Sequence, residues 1–553
     1  MAVAMPFVPA EPTPQQRKTV AIIGCGLSGL AAAKAAIQAG LFPTIFDRRR
    51  AAGGMWTDGS ATYDSLHTNV SRFTCSFSDF PWPASAPDFP SALEVGQYLS
   101  AYQRTFLTEE NCRLQLGYEV LRVAPSSPDP SLSLSHPAAD SSQSPPWRVE
   151  WRKVHEPTGL REDCAASADA DDSEVDLLQN PESRPTQEQQ TSATPASSHT
   201  LQAPSRDTAG GSMVSQASTA SLGSSDQFDY VVVATGFCAV PHLPDIPGLD
   251  TFPGLVLHSA AYRGAHLLRG RRRVAVIGSG HSAADIAADL AAAALRTAAV
   301  AVRSPGGSCS SGDSTAAAAA TDVPPPQTEV NSGMEVIHAT PRPFWLIPRY
   351  LPLAAAAATD ANGASGAAPP FVPLDVFFHR WSGRVASGRG PEEQVFPTSE
   401  DHIKSNAFFS SLCGDQGKLL SPVLAVPRVT SEPVGVAISD SYGPLVASGR
   451  LKLRRGRITR VSGCSLELSD ENAAYVASAS SGSGSGGSDG GNNLSQPLHD
   501  VDAIVLCTGL RPALKFLPDE LLSKLSYTPY DNYVPLALHR RVLHPDAPGL
   551  AFV

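Results

Sequence analysis

The fold of this chain is decided by a stretch near its start, Thr19-Val20-Ala21-Ile22-Ile23-Gly24-Cys25-Gly26-Leu27-Ser28-Gly29. Its first five residues form an apolar run, which predicts a buried parallel strand. The glycines that follow are spaced as in the turn of a dinucleotide-binding unit. In such a turn Gly24 reverses the chain, Gly26 lets the backbone approach a pyrophosphate, and Gly29 lets the next helix pack on the strand.

The residues after this turn complete the first unit. A helix is predicted from Ser28 to Ala39, because Gly40 is a C-terminal cap signal. Phosphate is expected on the free amides and positive end of that helix. The next strand ends at Asp47, spaced as expected for a carboxylate that binds two ribose hydroxyls. A carboxylate favours a ribose without a 2′-phosphate, so the first unit is predicted to bind FAD or NAD.

A second unit of the same kind begins at Val274. Its glycine turn is Gly278-Ser279-Gly280-His281-Ser282-Ala283, and a helix is predicted to about Leu295. The following strand is predicted at Ala299-Val300-Ala301-Val302, which places Arg303 at its end. A guanidinium suits a 2′-phosphate, so this unit is predicted to bind NADP rather than NAD. Two ordinary Rossmann-like folds with surface charges at the strand ends are the alternative interpretation, which the doubling of the motif disfavours.

Composition excludes several classes of protein. The 553 residues carry a formal net charge of -11, which argues against nucleic acid as a partner. The nine cysteines include no CxxC pair and no Cys/His cluster at metal spacing, so structural zinc is disfavoured and a reducing compartment is favoured. No apolar run reaches the length of a membrane span, and no secretory signal is seen. We therefore expect a cytoplasmic protein without a metal.

Four segments have the composition of low-complexity inserts, at 124–226, 304–331, 354–370 and 477–493. They are rich in Ser, Pro, Ala, Gly or acidic residues and are expected to be mostly disordered, because they offer little apolar surface. Within the first, only Trp147-Arg148-Val149-Glu150-Trp151 alternates like a strand. The role of these inserts is not indicated by their composition.

Two further strands, each followed by Thr-Gly, bracket the second unit. One ends in Ala234-Thr235-Gly236 and the other in Cys507-Thr508-Gly509. Ligands of open α/β sheets bind at such carboxyl ends. The order predicts an α/β fold with two Rossmann-like dinucleotide-binding domains, the NADP domain inserted in a discontinuous FAD domain. The predicted parts are the FAD domain at 18–123, the insert at 124–226, the continued FAD domain with a linker at 227–265, the NADP domain at 266–500, and the last part of the FAD domain at 501–553.

Between the two glycine turns the chain resembles the flavin-containing monooxygenases, class B flavoprotein monooxygenases. Phe252, Gly254, His258 and Tyr262 match that family's pattern FxGxxxHxxx(Y/F). Baeyer-Villiger relatives usually carry Trp where this chain has Tyr262. Without the resemblance, His258 is interpreted as an interdomain histidine with its hydrogen bonds satisfied, and the two aromatic residues as packing residues.

Other segments agree with the resemblance. Gly53-Gly54-Met55-Trp56 is similar to the family's GGxW, and Tyr63-Asp64-Ser65-Leu66-His67-Thr68-Asn69 is similar to its Y-x-S-x-x-T-N. The SDFPxP stretch, at residues 78–83, and Pro348-Arg349-Tyr350 also fit, the latter less specifically. The departures are His281, often Asn or Ser in the family, Arg72-Phe73 in place of Lys-Glu, and the end of the chain at Val553, where relatives continue. A truncated product lacking part of the flavin pocket is therefore one expectation.

The resemblance implies an enzyme of the N,N-dimethylaniline monooxygenase type that uses NADPH and FAD. It would insert one atom of O2 into sulfur or nitrogen of small nucleophiles through a C4a-hydroperoxyflavin, with Asn69 as the active-site amide. The implied cofactor-binding residues are Gly24, Gly26, Ser28, Gly29, Asp47, Gly54, Trp56, Thr68, Asn69, Val120, Thr235, Gly236, Gly278, Gly280, Ser282, Ala283, Arg303, Thr508 and Gly509.

Two alternatives remain open at this point. A Baeyer-Villiger monooxygenase would act on ketones, and Tyr262 argues against it. An uncoupled flavoprotein would bind FAD without productive oxygenation, as the short C-terminal end allows. A disulfide reductase shares the layout of two dinucleotide units but needs a redox cysteine pair, which is not seen in the sequence.

Overall fold

A computed structural model describes residues 17–57, 60–126, 147–154, 224–302, 333–352, 371–376, 398–426, 430–469, 496–530 and 535–553. Most of the four low-complexity segments lies outside the described residues, as does Arg303. The strands are β1 Thr19–Ile23, β2 Phe42–Asp47, β3 Arg113–Leu116, β4 Tyr118–Pro125, β5 Trp147–Lys153, β6 Ser224–Phe228, β7 Tyr230–Val233, β8 Val240–Pro241, β9 Leu255–His258, β10 Arg273–Ile277, β11 Glu335–Thr340, β12 Phe344–Ile347, β13 Tyr350–Pro352, β14 Phe371–Pro373, β15 Gly435–Ile438, β16 Leu451–Arg455, β17 Arg457–Ser462, β18 Ser465–Ser469, β19 Ala503–Leu506, β20 Leu510–Arg511 and β21 Leu550–Phe552.

The α-helices are α1 Leu27–Gln38, α2 Ala92–Phe106, α3 His281–Val302, α4 Ser399–Cys413, α5 Gln416–Leu419, α6 Tyr442–Ala447 and α7 Asp519–Lys524. Helix α2 begins with a capping box, in which the Ser91 hydroxyl accepts from the Glu94 amide and the Glu94 carboxylate accepts from the Ser91 amide. Helix α1 ends at Gln38, one residue before the predicted end at Ala39, and Gly40 just beyond it has a φ of +78°.

Two five-stranded parallel sheets form the two dinucleotide units. The first has the order β21-β7-β1-β2-β3, and the second has the order β16-β11-β10-β19-β9. In each sheet the strand before the glycine turn is central and nearly all its residues are buried, as expected for a parallel strand covered on both faces. The predicted α/β fold with two Rossmann-like domains is therefore confirmed.

The chain order confirms the nested arrangement, although the junctions differ from the predicted boundaries. After β7 the chain leaves the first sheet and builds the second, and it returns to the first only at β21. Strand β9, placed in the FAD-domain linker by the sequence, and β19, placed in the last part of that domain, both lie in the second sheet. The two crossing segments pair with each other as β8 and β20. Local sequence could not assign these strands, because apolar strands of both sheets have the same pattern.

The second strand of the NADP unit is also different from the prediction. Residues Ala299–Val302 belong to the end of helix α3, and β10 pairs instead with β11, which follows the insert. A short apolar run rich in alanine fits a buried strand or a helix equally well, so its pattern was not decisive. The strand expected before Arg303 is therefore part of α3, and Arg303 itself lies outside the described residues.

A three-stranded antiparallel sheet, β4-β5-β6, lies next to the first unit. Its middle strand is the segment around Trp147 that the sequence predicted as a strand. The buried side chains of Val123, Trp147 and Phe228 pack in one core with Phe46 of β2 and with Phe552 of β21. The return of the chain to the first unit is thus fixed by apolar packing as well as by β pairing.

Candidate functional site

The first glycine turn has two glycines that the fold requires and one that leaves space. Gly24 has a φ of +107°, and a methyl group built on it would overlap the carbonyl oxygen of Ala234. A methyl group on Gly29 would overlap the carbonyl oxygen of Gly24. On Gly26, by contrast, the nearest protein atom would be Gly54 Cα at 3.5 Å, an ordinary contact. The open face of Gly26 therefore fits a ligand that approaches the backbone closely.

The predicted ribose ligand, Asp47, lies beside this turn at the end of β2. Its side chain is buried, and its two oxygens accept hydrogen bonds from the Cys25 amide at 2.7 Å and from the Arg49 amide at 2.8 Å. Each carboxylate oxygen has a second lone pair and can accept a further hydroxyl donor. The structure thus places Asp47 where the sequence predicted, although its first role within the protein is to hold the glycine turn.

Two other predicted segments meet the same turn. Gly54 has a φ of +60° and begins the 3-10 turn Gly54–Trp56. The Cα atom of Gly54 faces Gly26. Trp56 packs against the core that contains α1 and α2. The Ala234 amide donates to the Ile23 carbonyl at 2.8 Å, so the Thr235-Gly236 segment follows directly beside the turn. Val120 lies apart from these, in β4 opposite Trp151.

Unsatisfied polar groups and exposed apolar side chains in the FAD unit fit a bound ligand. The Thr68 hydroxyl is buried and has no hydrogen-bond partner among the described residues, which is costly unless a ligand satisfies it. Leu27 and Met55, next to Gly26 and Gly54, expose 48% and 42% of their area, so apolar surface is available beside the open turn. A few unsatisfied polar groups together with exposed apolar surface are features of a ligand site.

The second glycine turn likewise has a glycine that the fold requires and one that leaves space. A methyl group on Gly278, whose φ is +151°, would overlap the carbonyl oxygen of Cys507. No atom lies within 4 Å of a methyl group built on Gly280. Ser282 is exposed in the first turn of α3, whereas Ala283 is fully buried under it. Gly280 and the amides at the start of α3 therefore fit the pyrophosphate of a second dinucleotide.

Thr508 and Gly509 belong to this second turn rather than the first. The Cys507 amide donates to the Ile277 carbonyl at 2.7 Å, which places the segment at the carboxyl end of β10. The Thr508 hydroxyl donates to the His242 carbonyl, and the His242 amide donates to the Gly509 carbonyl at 2.9 Å. The segment thus anchors the crossing linkers of the two domains.

A different arginine occupies the strand end that the sequence assigned to Arg303. Strand β11 ends at Thr340, whose hydroxyl donates to the carbonyl of Arg342 at 2.7 Å. Arg342 is exposed, two residues after the strand. The signal was present in the sequence, since the β-branched run Glu335–Thr340 is followed by Pro-Arg. The long insert between α3 and β11 concealed it, because connections in such units are normally short.

His258 and Gly254 of the family pattern lie at β9, within the second unit. His258 is 4% exposed, and its Nδ1 accepts from the Ala260 amide at 3.0 Å. Burial lowers the pKa of His258 to about 4, an effect that the backbone of Gly509 partly offsets. Gly254 lies where a methyl group would overlap the Asp502 carbonyl oxygen. The Nε2 of His258 is buried and has no hydrogen-bond partner among the described residues, so the interpretation of His258 as a histidine with its hydrogen bonds satisfied is not supported, whereas burial does favour the neutral form.

Tyr262, the last residue of the pattern, connects three elements. It is fully buried, and its hydroxyl donates to Asp289 Oδ2 on α3 at 2.6 Å. Its ring packs edge-on against Tyr63, with the centroids 5.5 Å apart. Burial raises the pKa of Asp285, one turn earlier on α3, to about 6, whereas Arg349 and a hydrogen bond from Tyr63 act in the opposite direction. The pattern therefore docks the segment that leads to Asn69 on the NADP helix.

Asn69 lies at the meeting point of the two units. Its Nδ2 is 3.5 Å from Nδ1 of His281, the first residue of α3, and its Oδ1 accepts from Arg349 Nη2 at 3.4 Å. Its side chain is half-buried. The predicted active-site amide of the FAD unit is thus in contact with the start of the NADP helix.

Comparisons with known proteins show what this chain is similar to. A family model described as flavin-binding monooxygenase-like matches residues 17–128 and 202–310. Flavin-containing monooxygenase 3 of Rattus norvegicus is 27% identical over 283 residues, which are 50% of this chain and 38% of that protein. Flavin-containing monooxygenase FMO GS-OX-like 6 of Arabidopsis thaliana is 25% identical over 299 residues, 50% of this chain and 46% of that protein. A solved flavin-containing monooxygenase from Stenotrophomonas maltophilia is 17% identical, with a TM-score of 0.48 over 97% of this chain and 90% of that chain.

The predicted resemblance to flavin-containing monooxygenases is therefore confirmed by the family model and by the curated relatives. The predicted cofactors, FAD and NADP(H), agree with the flavin-binding family that the model describes. The alignments span only 38% of the first relatives that match, rat and dog flavin-containing monooxygenase 3. Within the part of the chain that the structure describes, no helix has the length and apolar character for crossing a membrane, and no cluster of metal-ligating side chains is found.

Proposed function

We propose that this chain is an NADPH- and FAD-dependent monooxygenase that transfers one oxygen atom of O2 to sulfur or nitrogen of a small nucleophile. The second oxygen atom leaves as water, and the two electrons come from NADPH. The observation that carries the proposal is the contact between Asn69 and His281, because it joins the predicted active-site amide to the residue that directly follows Gly280 of the second glycine turn.

Each unit supplies a separate part of the binding site. Gly26, Gly54 and the Thr68 hydroxyl would hold FAD, with Asp47 at its ribose. Gly280 and the amides at the start of α3 would hold NADPH, and Arg342 would hold its 2′-phosphate. When bound, FAD would supply the hydride acceptance and oxygen activation that no side chain of the chain can supply.

The protein's own contribution is to orient groups and to exclude water. Asn69 presents an amide donor at the meeting point of the units, where a hydrogen bond can act on charge that develops during oxygen transfer. Tyr63 and Tyr262 fill the space behind this segment with buried aromatic surface. This packing would keep water from the buried side of the segment that carries Asn69, which would disfavour loss of the oxidant as peroxide.

The direct test is the product. Purified protein supplied with FAD should oxidise NADPH faster when a thioether or tertiary amine is added, and mass spectrometry should detect the sulfoxide or N-oxide. Lactone or ester formation from a ketone would instead identify a Baeyer-Villiger enzyme. NADPH oxidation that yields only peroxide with every substrate class would show an uncoupled flavoprotein and would refute the proposal.

The role of Asn69 is tested separately with Asn69→Leu. The variant should retain FAD and should be reduced by NADPH under anaerobic conditions within about threefold of the normal rate, because hydride delivery depends on the other unit. Its yield of oxygenated product should fall and its peroxide release should rise, since a hydrogen bond is lost. An unchanged ratio of product to peroxide would assign Asn69 a structural role only.

A further inference from the structure

Arg349 is the residue of the NADP unit that reaches the predicted active-site amide. It follows β12, and its backbone amide donates to Asp440 Oδ1 at 2.9 Å. Its guanidinium forms an ion pair with Asp440 Oδ2 at 3.5 Å and is 18% exposed. Both ends of the residue are therefore held by one carboxylate of the NADP unit.

From this anchor the guanidinium reaches two consecutive residues of the FAD unit. Its Nε donates to the Thr68 carbonyl and its Nη2 donates to Asn69 Oδ1, both at 3.4 Å. A guanidinium has donors and no acceptor, so the amide oxygen of Asn69 must face it and the amide nitrogen must point away. The planar guanidinium can contact a backbone oxygen and a side-chain oxygen at the same time in a fixed geometry. A lysine ammonium does not impose such a geometry.

The far side of the amide meets an acceptor. Asn69 Nδ2 faces His281 Nδ1, and the Ile438 amide also donates to that nitrogen at 3.4 Å. Two donors at one ring nitrogen require it to be unprotonated.

We propose that Arg349 is a positioning residue that fixes the amide of Asn69 in one orientation. The docked NADP unit thereby determines the direction in which the amide nitrogen of Asn69, in the FAD unit, donates. The contact between Arg349 and Asn69 does not depend on the proposed function. Its effect on oxygen transfer rests on the function proposed above. The neutral His281 supports the orientation from the other side, at a position where the sequence departs from the common residue of the family.

A simpler role for Arg349 would be charge balance. The carboxylates of Asp440 and Asp285 face it, as do the hydroxyls of Tyr63 and Tyr350. Balance needs only a positive charge, whereas orientation of Asn69 needs a group that spans Thr68 and Asn69. The variants Arg349→Lys and Arg349→Met therefore separate the two roles.

The first experiment is a double-mutant cycle measured by thermal unfolding, with no turnover required. Arg349→Met and Asn69→Ala are made singly and together, and the loss for the pair should be smaller than the sum of the single losses, because both remove the same contact. In the cycle, Arg349→Lys should show the same coupling with Asn69→Ala as Arg349→Met shows. Arg104→Met, on the exposed surface of α2, is the matched control and should be additive with Asn69→Ala.

The second measurement is the fraction of NADPH oxidation that ends as peroxide. Both Arg349 variants should raise that fraction by about threefold to tenfold, the size expected for one lost hydrogen bond, and Asn69→Ala should add nothing further. Additive losses in the unfolding cycle, or a Lys variant that couples to Asn69 as Arg does, would overturn the proposal. If the protein forms no oxygenated product at all, the proposed function fails, and the unfolding cycle still decides the role of Arg349.

Discussion

The two glycine turns have the same spacing but use their glycines differently. In the first turn the third position is Gly29, which has no room for a methyl group, because Gly24 lies directly against it. In the second turn the same position is Ala283, fully buried and accommodated. The first turn therefore packs helix on strand more closely than the second. Only Gly26 and Gly280, the middle glycines, leave open space in both turns.

The strongest test of this difference is a methyl group at the third position. Gly29→Ala should destabilise the protein by about 3 kcal/mol or more, because backbone atoms would have to move apart. The matched change in the second turn, Ala283→Gly, should cost only about 1 kcal/mol through helix propensity and a lost methyl group. Chemical denaturation of both variants measures the two values, and equal losses would show that the turns pack alike.

A methyl group at the middle position should affect a ligand and leave the fold intact. Gly26→Ala is expected to unfold at the normal temperature without cofactor and to purify without bound FAD, since the methyl group occupies the face left for the pyrophosphate. Gly280→Ala should keep the yellow flavin and lose binding of NADPH. Absorbance and coenzyme titration distinguish them. A yellow Gly26→Ala protein would contradict the assignment of FAD to the first turn.

The two units also differ in the charged residue at a strand end, which is Asp47 in the first unit and Arg342 in the second. This difference should have a smaller effect than the glycine substitutions. Arg342→Ala should raise the KM for NADPH by about tenfold to a hundredfold, the value of a charge-assisted hydrogen-bonded pair, with little change for NADH. Arg269→Ala, an exposed arginine before β10, is the control. Equal losses for NADPH and NADH would exclude Arg342 as the ligand of the 2′-phosphate.

The smallest expected effect is a dependence on pH that is specific to the second turn. His338, buried beneath it, bonds to the Gly278 carbonyl through Nε2 at 2.8 Å and to the Tyr442 hydroxyl through Nδ1 at 2.6 Å. Burial lowers its pKa from 6.5 to about 4. Because the folded-state pKa is the lower one, the free energy of unfolding should fall as the pH drops below 6.5, by about 1 kcal/mol per histidine at pH 5.5.

His338→Gln keeps a donor and an acceptor but cannot titrate. We expect its free energy of unfolding to fall less between pH 6.5 and 5.5 than that of the unmodified protein, and His258 would account for part of the remaining fall. Urea titrations at the two pH values measure the difference. The same pH slope in both proteins would mean that His338 does not contribute.

Much of the fold could be predicted because its signals are local. Strand β1, the end of α1 and the position of Asp47 each follow from fewer than about thirty residues of sequence, the length of one βαβ unit. The prediction failed where the chain is interrupted. The alanine-rich run Ala299–Val302 was assigned to a strand, although it continues α3, and the real strand β11 follows an insert.

The sequence by itself determined the two glycine turns, their order and the nested α/β fold, because glycine spacing and apolar runs act through neighbouring residues. Only the tertiary structure decided that β9 and β19 join the second sheet, that Arg342 follows the correct strand, and that Arg349 reaches Asn69. The physical reason is distance along the chain. Arg349 and Asn69 are 280 residues apart, and no local pattern specifies a contact that forms only when two separately folded units pack together.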